Sequence, residues 1–375
     1  MADIYLSSYL CESSQGDIEQ TLDAIEYNNI KIGKKTVATL DETIEIPYFT
    51  FERPSCEDPR EIYQRIKETV DPLLQSLSKE KRMKTAVIVG TSLVDQYIVE
   101  SIEATVYEEL KKPFATQKRS IDSFAYDLAN EYGLHPYTMT VTTACTSSAN
   151  ALFEARNLIE CGMVDEVLVI GVEIFSQMMS DGFSSMKLLS AEEQKPFDIK
   201  RDGLILGEAI AAVMVTKQKT PWKLLGGYSN CNSYNITSVA PEGKEYAQVM
   251  EEALKSVSLS ANQITALKAH ATSTPTNDLS EINAIKSVFS PEVVFSGIKP
   301  YLGHTLGACG ILEIAVVMGC IDRGFFPGTI NHKEAIISEY IPLKKHKKIE
   351  DGIFMCNYFG FGGNNTSVII EKGMK

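Results

Sequence analysis

The chain has 375 residues, of which 44% are hydrophobic and 23% are charged. This composition is typical of a globular protein long enough to form two core-bearing halves. Its formal net charge of −13 argues against a nucleic-acid partner, which needs a basic surface, and its longest apolar runs fall short of the about 20 residues that span a bilayer.

The eight cysteines are scattered and form no Cys-x-x-Cys pair. This spacing predicts neither a zinc ribbon nor a thioredoxin-type redox site. Scattered free thiols are typical of a reducing compartment. The first residues, MADIYLSSYL, have no basic stretch ahead of an apolar core and do not predict a secretion signal. We therefore expect a cytoplasmic protein.

Short apolar runs bounded by glycine or polar residues predict buried strands. They lie at residues 85–91, 166–173, 209–216, 293–298 and 366–371. Helical patterns lie between them, and one ends at Gly162, a residue type that commonly terminates helices. The alternation predicts an α/β protein. The polar segment 215–224 contains a proline and predicts a connection between two halves, residues 1–217 and 218–375.

Cys145 lies in the stretch VTTACTSSANAL, between a β-branched run and a small-residue segment typical of a helix start. The positive end of a helix dipole and its unpaired N–H groups favour a thiolate and can hold an oxyanion during acyl transfer. A buried structural cysteine is the commoner outcome, because a reactive cysteine also needs a partner base or charge. The stretch alone leaves both interpretations open.

Two of the five histidines occur in polar settings that favour a site. His270 directly follows a strand-like run and precedes three hydroxyl-bearing residues. His304 lies in a glycine-flanked turn before a helical pattern. Either one alone is more often a turn histidine bonded to the backbone. Together with Cys145 they form a usable set for acyl chemistry.

The segment NYFGFGGNNTSVII, residues 357–370, is rich in glycine. No Lys-Ser/Thr pair follows its glycines, and a strand pattern does, which argues against a phosphate-binding loop. A tight turn whose backbone approaches a ligand fits better, with Phe359 and Phe361 as apolar walls. A plain β-turn between strands is the alternative.

Four segments, TTACTSSANAL, HATSTPTND, KPYLGHTLGACG and NYFGFGGNN, resemble in this order the motifs of the β-ketoacyl-acyl carrier protein synthases. A fifth, KPFDIKRDGLILGEAIAAVMV, resembles the Pro-Phe-Asp…Arg-Asp-Gly…Gly-Glu segment of that family. The resemblance is to the elongating Cys-His-His type, since the CoA-primed type has Asn where His304 stands. It implies a thiolase-like fold, with two pseudo-symmetric α/β halves in a five-layered αβαβα arrangement.

The resemblance implies decarboxylative Claisen condensation by an acyltransferase of the EC 2.3.1 class. Cys145 would hold the acyl chain as a thioester, and the N–H groups of Cys145 and Phe361 would form the oxyanion hole, with the Phe361 ring as a gate. His270 and His304 would bind the malonyl thioester carbonyl and stabilise the enolate. Lys299 would orient the histidines. The remaining implied residues are Glu313 and Asp278 as supports and Thr272 and Thr274 as pantetheine contacts.

The family implies no metal and no bound cofactor, because the substrates are held on the phosphopantetheine of an acyl carrier protein. It also implies a dimer, either a homodimer or a heterodimer with a chain-length factor. The lysine-containing runs 344–348 and 108–114 are candidate docking sites for an acidic carrier protein, although such runs are usually solvated loops.

The sequence departs from the family pattern at several positions. Ala271 stands where glycine usually follows the first histidine, and Ala209 stands where a Gly-Glu-Gly motif usually ends. These departures favour a specialised synthase of a polyene or type II polyketide pathway over housekeeping fatty-acid elongation. A thiolase is one rival, with Cys356 as its second cysteine, but it would show Cys-x-Gly there. A non-catalytic subunit is another, but it would lack the cysteine and histidines.

Overall fold

The computed structural model describes residues 3–38, 43–53, 59–93, 123–232 and 234–373. Within these ranges, no helix is long and apolar enough to cross a membrane. The predicted docking run 108–114 lies outside the described residues.

The secondary structure alternates between strands and helices along most of the chain. The strands are β1 Tyr5–Ser13, β2 Gly16–Asp17, β3 Gly33–Ala38, β4 Thr43–Tyr48, β5 Thr85–Thr91, β6 Thr138–Val141, β7 Glu166–Glu173, β8 Ala209–Thr216, β9 Trp222–Cys231, β10 Ala266–Lys268, β11 Phe295–Ser296, β12 Phe325–Phe326, β13 Lys347–Lys348, β14 Gly352–Phe359 and β15 Asn364–Lys372. The α-helices are α1 Ile18–Glu26, α2 Pro59–Ser76, α3 Lys79–Arg82, α4 Ser123–Tyr132, α5 Ser147–Glu160, α6 Gln177–Ser185, α7 Lys244–Ser256, α8 Pro275–Val288, α9 Lys299–Leu302 and α10 Cys309–Asp322.

The apolar runs become strands because they are covered on both faces. Every residue of β5, β7 and β8 is buried, and these strands have the bounds that the sequence predicts. The run at 293–298 keeps only the short β11, because Gly297 and Ile298 lead directly into α9. The boundary predicted at 217/218 falls in the link between β8 and β9.

The two halves of the main sheet have the same topology. In the first half the strand order is β6-β5-β7-β8-β1, and in the second it is β11-β10-β14-β15-β9. In each half the first two pairings are parallel and the next two antiparallel. Chain order within the two halves also corresponds strand by strand. The predicted pseudo-symmetry is therefore confirmed.

The layers follow from three apolar clusters. One cluster packs α2 and α4 against one face of the first half, and another packs α7 and α8 against one face of the second. The central cluster contains α5 and α10 between the two inner faces. The halves also join edge to edge, where Tyr5 and Leu6 of β1 pair with Lys223 and Trp222 of β9. These clusters agree with the expected five-layered αβαβα arrangement. The inner helices α5 and α10 start just after Cys145 and His304.

Candidate active site

Three buried side chains from different elements meet at the floor of one pocket. Cys145 lies just before α5, His270 follows β10, and His304 lies between α9 and α10. The sulfur and one nitrogen of each ring all lie within 4.8 Å of one another. The structure therefore brings together the three residues that the sequence predicts as the reacting set.

Cys145 is held in a tight turn between β6 and α5, where Ala144 has a left-handed backbone (φ 53°). The Cys309 thiol donates to the carbonyl of Cys145 at 3.1 Å. Burial raises the pKa of the Cys145 thiol to about 12, although Lys299 and the N–H groups of Phe361 and Cys145 act in the opposite direction. The resting group is a thiol, and its sulfur already faces two backbone N–H donors.

Each of these two histidines has one ring nitrogen facing a hydrogen-bond donor. Nδ1 of His270 lies 3.4 Å from the Nζ ammonium of Lys299. Nδ1 of His304 accepts the N–H of Leu306 at 3.3 Å. An ammonium and a backbone amide N–H can only donate, so Nδ1 of both neutral rings is the acceptor and Nε2 holds the proton.

The surroundings of the two rings disfavour their protonated forms. Burial, followed by the charge of Lys299, holds the pKa of both His270 and His304 well below the usual value. The ring centroids are 5.2 Å apart, and the rings are nearly perpendicular at 85°. Two neutral imidazoles that each present an Nε2–H can stabilise negative charge developing on an oxygen placed between them.

One carboxylate beneath the histidines is shared by two buried lysines. Lys299 donates to Oε1 of Glu313 at 2.7 Å, and Lys268 donates to Oε2. Lys268 also donates to the Asn357 carbonyl at 2.7 Å and lies 3.7 Å from the ring centre of Tyr358. Lys299 and Glu313 are predicted from the sequence, whereas Lys268 is not. The signal that could have found it is a lysine inside the short, buried β10, where a charge needs a partner.

Glu281 of α8 holds the backbone of the loop that contains His270. One carboxylate oxygen accepts the N–H of His270 at 2.6 Å, and the other accepts the N–H of Ala271 at 2.7 Å. Burial raises the pKa of Glu281 to about 7, against the effect of these N–H groups. The sequence motifs do not single out this residue. Its spacing of three from Asp278, which places both on one face of α8, is the available signal.

Ala271, a departure from the family pattern, adopts a positive φ of 52°. This region costs a residue with a Cβ about 1–2 kcal/mol. Gly297 faces the Ala271 methyl, and a Cβ at Gly297 would lie 2.4 Å from it. The missing side chain at 297 therefore makes room for the extra methyl, and the Glu281 carboxylate holds the turn.

Asp278 is predicted as a support, and it contacts loops rather than the reacting groups. Its carboxylate accepts the N–H of Phe197 at 2.7 Å and of Ser273 at 3.0 Å. Burial raises its pKa, although the N–H groups act in the opposite direction. Ser273 has a φ of 68°, so Asp278 stabilises a left-handed turn between Thr272 and Thr274.

The pocket encloses about 590 Å³, counting its open mouth. Thr272 and Thr274 line it, and their hydroxyls share a hydrogen bond of 3.0 Å. The ring of Phe361 also lines it and stacks on Phe183 with 5.5 Å between centroids. Apolar walls with a few convergent polar groups are typical of a small-molecule site. This lining suits an acyl chain and an amide-bearing arm.

Other residues singled out from the sequence lie elsewhere. Cys356 packs in the central apolar cluster on β14 and does not line this pocket. Nδ1 of His332 lies 3.0 Å from the Pro196 carbonyl, and both ring nitrogens of His346 contact backbone groups. The lysines of the run 344–348 are exposed around β13.

A thiol and two imidazoles are also a donor set that zinc prefers. Zinc would need a free lone pair on Nε2 of each ring, where the contacts described above place the proton. Moving that proton to Nδ1 would set an N–H against the Lys299 ammonium in one ring and against the Leu306 N–H in the other. The arrangement favours hydrogen-bond donation over metal binding.

Two family models match consecutive parts of the sequence. Residues 70–220 match "Beta-ketoacyl synthase, N-terminal domain", and residues 223–333 match "Beta-ketoacyl synthase, C-terminal domain". Together they span more than half of the chain.

Known proteins show the same likeness. A mitochondrial 3-oxoacyl-[acyl-carrier-protein] synthase of Arabidopsis thaliana is 31% identical over 323 residues, 78% of this chain and 70% of that protein. The 3-oxoacyl-[acyl-carrier-protein] synthase 2 of Vibrio harveyi is 29% identical over 322 residues, 79% of this chain and 77% of that protein. The ketosynthase ApeO of Xenorhabdus doucetiae, solved in complex with its chain length factor, matches the fold with a TM-score of 0.86 at 24% identity, over 99% of this chain and 98% of that chain.

Proposed function

The chain belongs to the β-ketoacyl synthase family, and on this premise we propose how its own side chains condense malonyl-acyl carrier protein with an acyl group held on Cys145. The chain is an acyltransferase of the EC 2.3.1 class. The observation that supports the roles below is that the Cys145 sulfur and one ring nitrogen each of His270 and His304 lie within 4.8 Å of one another.

Acyl transfer begins when Sγ of Cys145 attacks the thioester carbonyl of the acyl carrier. The carbon–sulfur bond to the carrier breaks, and the thiol proton passes to the departing pantetheine sulfur. The N–H groups of Cys145 and Phe361, which contact the sulfur in the resting site, donate to the tetrahedral oxyanion. The charge of Lys299 favours the thiolate character that the attack requires.

Decarboxylation follows in the same pocket. His270 and His304 donate Nε2–H groups to the malonyl thioester carbonyl, the bond to the carboxylate breaks, and CO₂ leaves its electron pair as an enolate. The enolate carbon then attacks the thioester on Cys145. A carbon–carbon bond forms, the carbon–sulfur bond to Cys145 breaks, and the released Cys145 thiolate takes up a proton from water. The reaction needs neither a metal nor a bound cofactor.

The pantetheine arm enters past Thr272 and Thr274, whose hydroxyls suit its amide groups. The partner is therefore an acyl carrier protein. The working unit is a dimer, with itself or with a chain-length-factor-like chain, in the cytoplasm. The pathway is a specialised one that builds a polyene or type II polyketide chain, a proposal supported by the departures Ala271 and Ala209.

The test is the intact mass of the protein after incubation with saturated, polyene and aryl acyl-carrier proteins, followed by peptide mapping. An acyl increment on Cys145 that is absent from Cys145→Ala supports the proposal, and the fastest donor identifies the pathway. Fastest loading by ordinary saturated donors would place the enzyme in housekeeping elongation. An increment on another cysteine would overturn the assignment of Cys145.

A further inference from the structure

Lys268 is a buried cation to which the roles above assign no function. Its side chain is 0% exposed, so solvent does not screen it. It reaches the Glu313 carboxylate, the Asn357 carbonyl and the ring face of Tyr358. These are three acceptors, and they match the three N–H groups of an ammonium. The contacts therefore fit a protonated lysine.

The charges of Lys268, Lys299 and Glu313 do not cancel among themselves. The ammonium groups of Lys268 and Lys299 share the single carboxylate of Glu313, which leaves one excess positive charge. In a buried site, neighbouring groups feel such a charge strongly. Among the described residues, the titratable and charged groups around the two histidine rings are Lys268 on β10, Lys299 on α9, Glu313 on α10, Glu281 on α8 and Cys145 before α5. Burial raises the pKa of Glu281 to about 7, so its carboxylate offsets the excess charge only as pH rises through that value.

We propose that Lys268 is a positioning residue for the condensation: its excess charge keeps both imidazoles neutral with the proton on Nε2 and favours negative charge on the enolate oxygen. The inference rests on the function proposed for this pocket. Without Lys268, Glu313 would neutralise Lys299, and a proton on Nδ1 of His270 would meet less repulsion. Lys268 is one of the charges that, after burial and Lys299, lower the pKa of both rings.

The first test follows the ¹⁵N signals of labelled histidine rings against pH, which needs no substrate. Signals are assigned with His270→Asn and His304→Asn. Lys268→Met keeps the length of the side chain and removes its charge. It is expected to make His270 about tenfold more protonated at a given pH in its titration range.

A double variant separates charge from packing. Lys268→Met with Glu313→Gln leaves Lys299 as the only charge of the cluster, so one excess positive charge returns. We expect the histidine titration to move back towards that of the wild type, although two buried contacts are lost. If Lys268 acts only through packing, the histidine titration of the double variant should differ from the wild type more than that of Lys268→Met does. This outcome would overturn the proposal.

Lys372→Met is the matched control. Lys372 is also buried, donates to Asp322 at 2.7 Å and to the Ile321 carbonyl at 3.0 Å, and lies 5.7 Å from the ring centre of Trp222. Its loss removes the same kinds of contact at the far end of β15 and should leave both histidines unchanged. If Lys268→Met does not fold, Lys268→Gln removes the charge and keeps a donor.

The second test measures CO₂ release from malonyl-carrier protein and acyl loading of Cys145. Lys268→Met is expected to slow CO₂ release about tenfold and to leave loading nearly unchanged. A wild type that loads Cys145 but releases no CO₂ would refute the proposed function, whatever the histidine titration shows. A folded Lys268→Met protein with unshifted histidines and an unchanged rate would refute the role of Lys268 alone.

Discussion

The two halves of the molecule share one topology but supply different kinds of group to the site. In the first half, the turn before α5 presents a thiol and a backbone N–H at Cys145. In the second half, the equivalent turn before α10 presents the His304 ring, and the loop after β10 presents His270. In the proposed reaction, acyl holding thus depends on backbone geometry, whereas decarboxylation depends on ring tautomers. Substitutions should therefore separate the two steps.

The buried carboxylates of the two halves also differ in which backbone groups they bind. Glu281 accepts backbone N–H groups from the loop of its own half. Glu173, at the end of β7, accepts the N–H and hydroxyl of Ser92, the latter at 2.6 Å, and also the N–H of Gly307 at 2.9 Å from the second half. A carboxylate of the first half therefore holds the turn that follows His304 in the second half.

The largest expected effect comes from Cys145→Ala, which removes the acyl acceptor. Condensation should fall by at least about a thousandfold, because no covalent intermediate can form. CO₂ release from malonyl-carrier protein should persist, since it depends on the second half. Product mass and CO₂ release are measured in parallel, and equal loss of both would contradict the division between the halves.

His304→Ala tests the other half. Losing one preorganised donor should slow CO₂ release by about a hundredfold or more. Acyl loading of Cys145 should survive, because its oxyanion donors are backbone groups. The measurement is the mass increment on Cys145 beside CO₂ release, and a His304→Ala enzyme that condenses at the full rate would refute the assignment.

Glu281→Gln tests how the second half is held together. Because burial raises its pKa from 4.5 to about 7, the folded state binds this proton more tightly than the unfolded state. The resulting stability is fully present below pH 4.5 and is lost as pH rises through about 7, a fall in the free energy of unfolding of about 3 kcal/mol.

Urea unfolding between about pH 5 and about pH 8 measures this slope. In the Glu281→Gln variant, the free energy of unfolding should fall less over this pH range. Glu173→Gln is the counterpart in the first half and should reduce the slope by a similar amount, because burial raises the pKa of Glu173 to about 7 as well. An unchanged pH slope in Glu281→Gln would show that this carboxyl does not titrate in that range.

The smallest effect is expected from Ala271→Gly. Glycine relieves the positive φ but adds freedom to the unfolded chain, so stability should change by no more than about 1 kcal/mol. CO₂ release should stay within about twofold, because Glu281 still holds the turn. Ala144→Gly is the counterpart beside Cys145, and it should lower acyl loading more, since no carboxylate is seen to hold the N–H groups of that turn among the described contacts.

The parts of the site that could be predicted are those with a local signal. Cys145 and His270 follow strand-like runs, His304 lies in a glycine-flanked turn, and the surrounding motifs match a family. The runs that became β5, β7 and β8 are apolar throughout, so burial on both faces could be predicted from their composition.

The parts that could not be predicted depend on distant contacts. Lys268 donates to Glu313, which lies 45 positions further along the chain, and no local sequence pattern predicts that pairing. Glu281 binds backbone N–H groups, which nearly every residue type has, so the sequence does not indicate its partners. Asp278 follows the family motif, yet its role as a brace for two loops is visible only once Phe197 and Ser273 are placed against it. The edge pairing of β1 with β9 could not be predicted either, because it joins Tyr5 and Leu6 to residues in the other half of the chain.

The inner helices meet closely just after the two reacting turns. Gly310, at the start of α10, lies against the start of α5 so tightly that a Cβ there would be 2.2 Å from the backbone nitrogen of Ala149. Carbon–carbon bond formation requires the enolate carbon and the acyl carbon to approach within about 3–3.5 Å. Because Gly310 has no side chain, α5 and α10 start close together, and the turns that carry Cys145 and His304 are held near each other for the proposed reaction. Any larger side chain at 310 would push the starts of α5 and α10 apart.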